Sequence, residues 1–250
     1  MQPENLLPPH GRMLCAACFD GRATWGKSVS SSDDGWTLDN NPCAWGAQNP
    51  RFLLLGFSKG ERQSSGIVTR PHNNIPYAGF RPRLTAGLQK LGLLHPADTI
   101  DAHIRGDEQN WAFGSVVRCT LAEGGRKSGT IITSSARATS YDAWRKQCTG
   151  LYLSKLPPRL QVVVMLFNDD RYMAACRDRI AQLHPRTHEI NSVAYGDGRV
   201  TWVHIIHFGG QAFNHMRDWM AGADNKAGSK GKEAVQAVQQ ALRYNVTSQS

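Results

Sequence analysis

The sequence predicts an α/β domain of three layers, with helices on both faces of a central, mainly parallel sheet. Three observations carry this. Short, continuously apolar runs, RFLLLGF at 51–57, WAFGSVVRC at 111–119, QVVVMLF at 161–167 and VTWVHIIHF at 200–208, read as strands buried on both faces. Segments with apolar residues at helical spacing alternate with them, the order that layers helices over a parallel sheet. The composition, 40% hydrophobic and 20% charged over 250 residues, is that of a folded chain and excludes a disordered or fibrous one.

Residues 1–50, rich in Pro, Gly, Ser and Asp, show little periodicity and read as irregular structure around Cys15-Ala-Ala-Cys18. Something other than a core must order them. The strand at 51–57 runs into a loop flanked by Gly56 and Gly60, and a helix follows over 82–94, with Leu84, Leu88 and Leu91 on one face and Gly92 near its end. After the strand at 111–119, residues 121–139 read as a long basic loop, and 141–156 as a helix stopped by Pro157-Pro158. Asn168-Asp169-Asp170 caps a helix running toward His184-Pro185, so the aspartate pair is read as a cap and not as a catalytic dyad. Beyond the strand at 200–208, Gly209-Gly210 lead into an amphipathic helix from Gln211 to about Met220. Residues 221–232 read as a flexible basic linker, and 233–244 as a helix with Val235, Val238 and Leu242 on one face. The expected organisation is thus a domain over 1–220 and a tail over 221–250, with active residues at the carboxyl ends of the strands.

Lys and Arg number 29 against 20 Asp and Glu, a net charge of +9 that favours a polyanionic partner such as DNA. The longest apolar runs fall far short of the roughly 20 residues that span a bilayer, so no membrane is expected. The first residues, MQPENLLPPH, lack the basic and apolar regions of a secretory signal; the expectation is a monomer in the reducing cytoplasm. Six cysteines there point to metal ligands or buried thiols before disulfides.

Cys15 and Cys18 form a CxxC pair, Cys119 ends a strand, and Cys148 lies on the next helix ahead of GLYLSKLPPRLQVVVML. This order resembles the iron–sulfur branch of the uracil-DNA glycosylase superfamily. The resemblance extends over residues 13–220: LLLGFSKG (53–60) stands at the family's first motif, IPYAGFRPRLTAGLQKLGLL (75–94) at its Pro-aromatic-Gly segment, and HFGGQAFNHMRDW (207–219) at its histidine motif. It implies the fold of that superfamily, a 4Fe-4S cluster on Cys15, Cys18, Cys119 and Cys148, and excision of a flipped base from DNA to leave an abasic site. Tetrahedral zinc on the same thiols and unligated thiols are the alternatives, while Cys43 and Cys176 are read as buried or incidental thiols. The departures are specific. Phe57, Ser58 and Lys59 replace an acidic, proline-bearing first loop, and Ser115 stands where the family's base-reading Asn would fall.

The resemblance assigns roles residue by residue. His207 at a strand end would donate to the departing base, Lys59 would stabilise base or phosphate, and Glu61 would place the water. Gly56, Phe57, Ser58, Tyr77 and Ser115 would hold the base, with Tyr77 as the stacking face. His204, on the opposite side of the strand from His207, is read as core. Arg118, Arg126, Lys127, Gly209 and Gly210 would contact DNA, joined by Arg137, Lys226, Lys230 and Lys232. A shorter Ser115 relaxes uracil recognition, and the expected substrate is a modified or damaged pyrimidine, hypermodified cytosine in phage DNA among them, which implies a part in antiviral defence. Plain uracil repair and a non-catalytic iron–sulfur DNA-binding protein are the rivals.

Overall fold

Strict alternation along the central strands builds two cores, one on each face of a single large sheet. A computed structural model describes residues 5–19, 23–127, 139–209 and 213–247. In chain order its strands are β1 (Gly11–Arg12), β2 (Val29–Ser31), β3 (Trp36–Asp39), β4 (Cys43–Gly46), β5 (Phe52–Gly56), β6 (Trp111–Ser115), β7 (Thr120–Glu123), β8 (Arg126–Lys127), β9 (Val162–Leu166), β10 (His188–Asn191), β11 (Ala194–Gly196) and β12 (Thr201–Ile205). The α-helices are α1 (Glu61–Thr69), α2 (Arg81–Lys90), α3 (Thr139–Tyr152), α4 (Asp170–Leu183), α5 (Phe213–Ala221) and α6 (Lys226–Thr247).

The eight-stranded sheet has the order β1-β4-β6-β5-β9-β12-β11-β10. Its middle four strands are parallel, while β1, β4, β11 and β10 add antiparallel flanks. Leu54, Phe113, Val162, Val164, Val203 and Ile205 point to one face, where α2, α5 and α6 bring Leu84, Leu88, Trp219 and Val238. Leu53, Leu55, Val163, Met165 and Trp202 point to the other, where α3 and α4 bring Tyr141, Tyr172 and Ile180. The molecule is therefore α/β, with a mixed sheet parallel at its centre and helices on both faces. No helix among the described residues is long and apolar enough to cross a membrane.

The chain leaves β5 toward β6 on one side of the sheet and leaves β9 toward β12 on the other. The strand order reverses between these neighbours, and such a point opens a crevice at the carboxyl ends of the strands.

Three expectations are corrected. Residues 29–46 are not irregular: Trp36 and Leu38 alternate with Thr37 and Asp39, so β3 buries one face in the second sheet, of order β2-β3-β7-β8, while β4 pairs with β6. The basic loop expected from 121 begins as the β7–β8 hairpin, turning through Gly124 and Gly125 at φ 53° and 78°. The linker expected at 221–232 is in large part the first turns of the 22-residue α6, which buries Ala234, Ala237, Val238 and Ala241 in the main core. Its glycines serve contact and not flexibility. A Cβ on Gly228 would stand 2.0 Å from the Ala223 carbonyl oxygen, and one on Gly231 2.4 Å from that of Trp219.

An exposed helical Gly→Ala exchange ordinarily stabilises by about 1 kcal/mol. Gly231→Ala is expected to do the reverse and to destabilise by roughly 1–3 kcal/mol, because the added methyl overpacks backbone against backbone. Urea unfolding of the two proteins measures the sign.

Candidate functional site

The crevice at the carboxyl ends of β5, β6, β9 and β12 holds a cavity of about 420 Å³, within the range of small-ligand pockets. It is lined by Gly56, Phe57, Ser58, Ser115, Leu166, Phe167, His207 and Gly209 from the strand ends, and by Gly60, Glu61, Arg62, Gln63, Tyr77, Ala78, Gly79, Phe80 and Arg83 from the α1–α2 region. Eight residues expected at the site therefore do meet: Gly56, Phe57, Ser58, Glu61, Tyr77, Ser115, His207 and Gly209.

His207 is held between two rings. Phe167 stacks on it at 4.4 Å and 11°, and Phe80 leans on it at 4.8 Å. Its Nδ1 lies 3.1 Å from the Gly209 N–H, which can only donate, and 3.0 Å from the Gly209 carbonyl, which can only accept. In the neutral ring the first contact puts the proton on Nε2 and the second puts it on Nδ1. Burial lowers the pKa of His207, so the neutral ring is the form favoured at neutral pH.

Phe167 occupies φ 81°, unusual for any residue but glycine. His204 fastens it there: the buried imidazole donates from Nδ1 to the Phe167 carbonyl at 3.0 Å, and its Nε2, 3.2 Å from the Tyr195 hydroxyl, accepts that proton. His204 is thus a core residue, as its strand register predicts, and it supports the wall of the cavity. Tyr77 is the second strained aromatic, at φ 57°, with its hydroxyl donating to the Leu54 carbonyl at 3.2 Å.

Two hydroxyls complete the interior. Ser115 at the end of β6 and Ser58 in the loop after β5 are both buried, and Ser58 Oγ has no hydrogen-bond partner. Phe57 borders the cavity but turns its ring into the core against Tyr141 and Tyr172. Gly60 caps α1 at φ −77° and ψ 173°, which any residue adopts. Arg62 and Arg83 were not foreseen. Both approach Gly79 at the rim, Arg83 donating to its carbonyl at 3.2 Å, and only the fold brings them together.

Other assignments fall elsewhere. Lys59 does not line the cavity; it is 1% exposed and its ammonium donates to the Arg118 carbonyl. Arg118 is not a surface phosphate contact, since it is 3% exposed, with its guanidinium over Gly114 and 5.7 Å from the Tyr152 ring. Arg126 is exposed on β8 and pairs with Glu123 at 3.0 Å, and Lys127 shares that strand. Lys226 and Lys230 both bond to Asp170 at 2.6 Å. Gly210 and Arg137 lie outside the described residues.

The four cysteines of the expected cluster gather behind β6. Arg118 N–H donates to Cys148 Sγ at 3.3 Å, Cys15 bonds to Tyr152 one turn along α3, and Cys148 interacts electrostatically with Cys15, Cys18 and Cys119. Among the described residues no three His, Cys, Asp or Glu groups are close enough to ligate a single metal ion. Burial pushes Cys119 up to about 12 and Cys18 up to about 11, so without a metal these thiols keep their protons. The donor set is four soft ligands from three chain regions, with the Arg118 N–H aimed at one sulfur.

No protein-family model matches this chain, and no curated protein matches it.

His204 generates a pH prediction. Burial lowers its pKa from 6.5 to about 4, so the unfolded chain takes the proton first as pH falls. Its contribution is complete above about pH 6.5 and is lost toward pH 4, an effect on the order of 3 kcal/mol. Half-buried His10, His72 and His207 act in the same direction. Urea unfolding between these pH values is expected to show a shallower decline for His204→Gln than for the wild type.

Proposed function

We propose that this protein is a DNA glycosylase that takes a flipped pyrimidine into the cavity and hydrolyses its N-glycosidic bond. The observation that carries the reading is one cavity in which His207, Tyr77, Ser115 and the unpartnered hydroxyl of Ser58 converge beneath a rim bearing Arg62 and Arg83. A planar heterocycle needs an aromatic wall and a few polar atoms at its edge, and a polyanionic backbone needs cations at the mouth. The net charge of +9 supports the same partner.

In the proposed reaction the bond between C1′ and the base nitrogen breaks and its electron pair leaves with the base. His207, with its proton on Nε2, donates a hydrogen bond to the base oxygen on which that charge collects. Glu61 is the carboxylate among the lining residues and orients the water that adds to C1′; the water's proton ends on the departed base or in solvent. Lys59, turned away from the cavity, has no part in this step. Cys15, Cys18, Cys119 and Cys148 would hold a 4Fe-4S cluster, whose chemistry here is structural, tying the N-terminal segment to the base-binding strands.

Ser115 sets the substrate. A hydroxyl at the end of β6 leaves more room than a carboxamide and withdraws the paired hydrogen bonds that would single out uracil, which favours a pyrimidine carrying a bulky polar substituent.

Mass spectrometry of bases released from uracil-containing, unmodified and phage-modified DNA tests the reaction, with abasic sites as the second product. His207→Ala is expected to slow excision by roughly 10²- to 10³-fold while DNA binding changes little. Full single-turnover activity in that folded variant would overturn the role, and absence of any released base would leave a DNA-binding protein. Ser115→Asn is expected to narrow the preference for modified cytosine over uracil; efficient uracil release with no product from phage-modified DNA would instead identify plain uracil repair.

A further inference from the structure

A second cavity, of about 330 Å³, adjoins the first. Phe167 and His207 line both, so the stacked pair, 4.4 Å between ring centres, is where the two meet. Ile206 and Ala227 give the second cavity an apolar surface, while Asn168, Asp169, Lys226 and Lys230 bring polar groups, with His215 beside them. Its size is within the range of small-ligand pockets. Its charges cancel. Lys226 and Lys230 both bond to the Asp170 carboxylate at 2.6 Å, through Oδ2 and Oδ1 respectively, and Asp169 supplies a second carboxylate. Two ammonium groups are thus matched by two carboxylates, and a phosphate would meet no surplus of positive charge. Hydrogen-bonding capacity is left over. An ammonium has three N–H groups; among the described residues Lys226 makes one bond and Lys230 two, the second to the Asn168 carbonyl at 2.6 Å. Both bonds that cap α4 fall on Asp169 Oδ1, from the Arg171 and Tyr172 N–H groups at 3.1 Å, which leaves Oδ2 as an acceptor.

We propose that this second cavity is a subsite for a neutral group rich in hydrogen-bonding atoms, carried by the same ligand whose base enters the first cavity and reaching past His207. The inference rests on the DNA reading above and gives the part of the ligand that extends beyond the base a receptor of its own. Ionised groups of both signs beside an apolar surface suit a partner that donates and accepts at once. Its donors meet the Asp169 carboxylate, its acceptors meet Lys226 and Lys230, and no unpaired charge is buried. A purely apolar group would strip water from these charges without replacing it, and an anion would face two carboxylates. Two parts of a DNA ligand have the required chemistry: a polar substituent on the flipped base, and the base of the neighbouring nucleotide. Ala227 is the smallest side chain of the lining and stands at the start of α6, so a larger residue there takes volume from this cavity and not from the first.

Wild type, Ala227→Phe and Asp169→Asn, each checked for fold by circular dichroism, are titrated with labelled oligonucleotides, and binding is read by fluorescence anisotropy. The target pyrimidine is either plain or carries a 5-substituent bearing several hydroxyls, and its neighbour is either a base or an abasic analogue. Ala227→Phe is expected to weaken binding by roughly tenfold, the order of one lost hydrogen bond to a charged group, wherever the occupant of the subsite is present. The plain pyrimidine beside an abasic neighbour is expected to bind as it does to wild type. Loss confined to the substituted pyrimidine identifies the substituent as the occupant, and loss that follows the neighbouring base identifies that base. Asparagine at 169 still caps α4 but carries no charge, so Asp169→Asn is expected to weaken the same oligonucleotides several-fold, and it decides the matter should Ala227→Phe fail to fold. Stronger binding of every oligonucleotide by Asp169→Asn, with a steeper dependence on salt, would show that the cavity takes a phosphate and would overturn the proposal. Folded variants that bind all four oligonucleotides as wild type does would overturn the subsite and leave the glycosylase reading standing. Wild type that binds none of them would overturn both.

Discussion

The interior of this protein contains two cations that water cannot reach, and much of the surrounding architecture answers to them. Removing an ammonium and a guanidinium from solvent is unfavourable by more than ordinary hydrogen bonding restores. The Arg118 carbonyl meets part of the need by accepting from the Lys59 ammonium. The N-terminal segment is joined to the large sheet by the short pairing of β1 with β4. The same two residues, Lys59 and Arg118, follow closely on β5 and β6, whose ends line the cavity.

 That wall is stiffened by strain. Tyr77 and Phe167 both hold positive φ, at 57° and 81° respectively. Backbone in this region is unfavourable for an aromatic residue by about 1–3 kcal/mol and persists only where neighbours hold it. The neighbours here are identifiable. His204, itself bonded to the Tyr195 hydroxyl, holds the Phe167 carbonyl, and the Leu54 carbonyl holds the Tyr77 hydroxyl. Both rings are thereby fixed at the cavity before anything enters it.

The central strands were legible because burial on both faces requires continuous apolar runs, and the helices over 82–94 and 141–156 because their apolar residues recur at helical spacing. The α1 helix was not, since ERQSSGIVT buries little beyond Gly66 and Ile67. The start of α6 was misread because lysine, serine and glycine look alike in a linker and in a helix pressed closely on its neighbour. Within the site, strand ends located His207 and Ser115. Position in a loop, however, does not say which way a side chain turns: Ser58 lines the cavity while Lys59, adjacent in sequence, turns away to the Arg118 carbonyl. Arg62 and Arg83 are 21 positions apart in the sequence and become neighbours only through Gly79.

The contact between His207 and Gly209 has a consequence for proton motion. One ring nitrogen faces a donor and an acceptor of the same residue at nearly equal distance. The imidazole can therefore exchange its two neutral tautomers while keeping a hydrogen bond to Gly209 in each, with no heavy atom displaced. A ring clamped between two aromatic planes ordinarily gives up versatility for rigidity; this one keeps a proton inventory that can change hands without reorganisation of the frame around it.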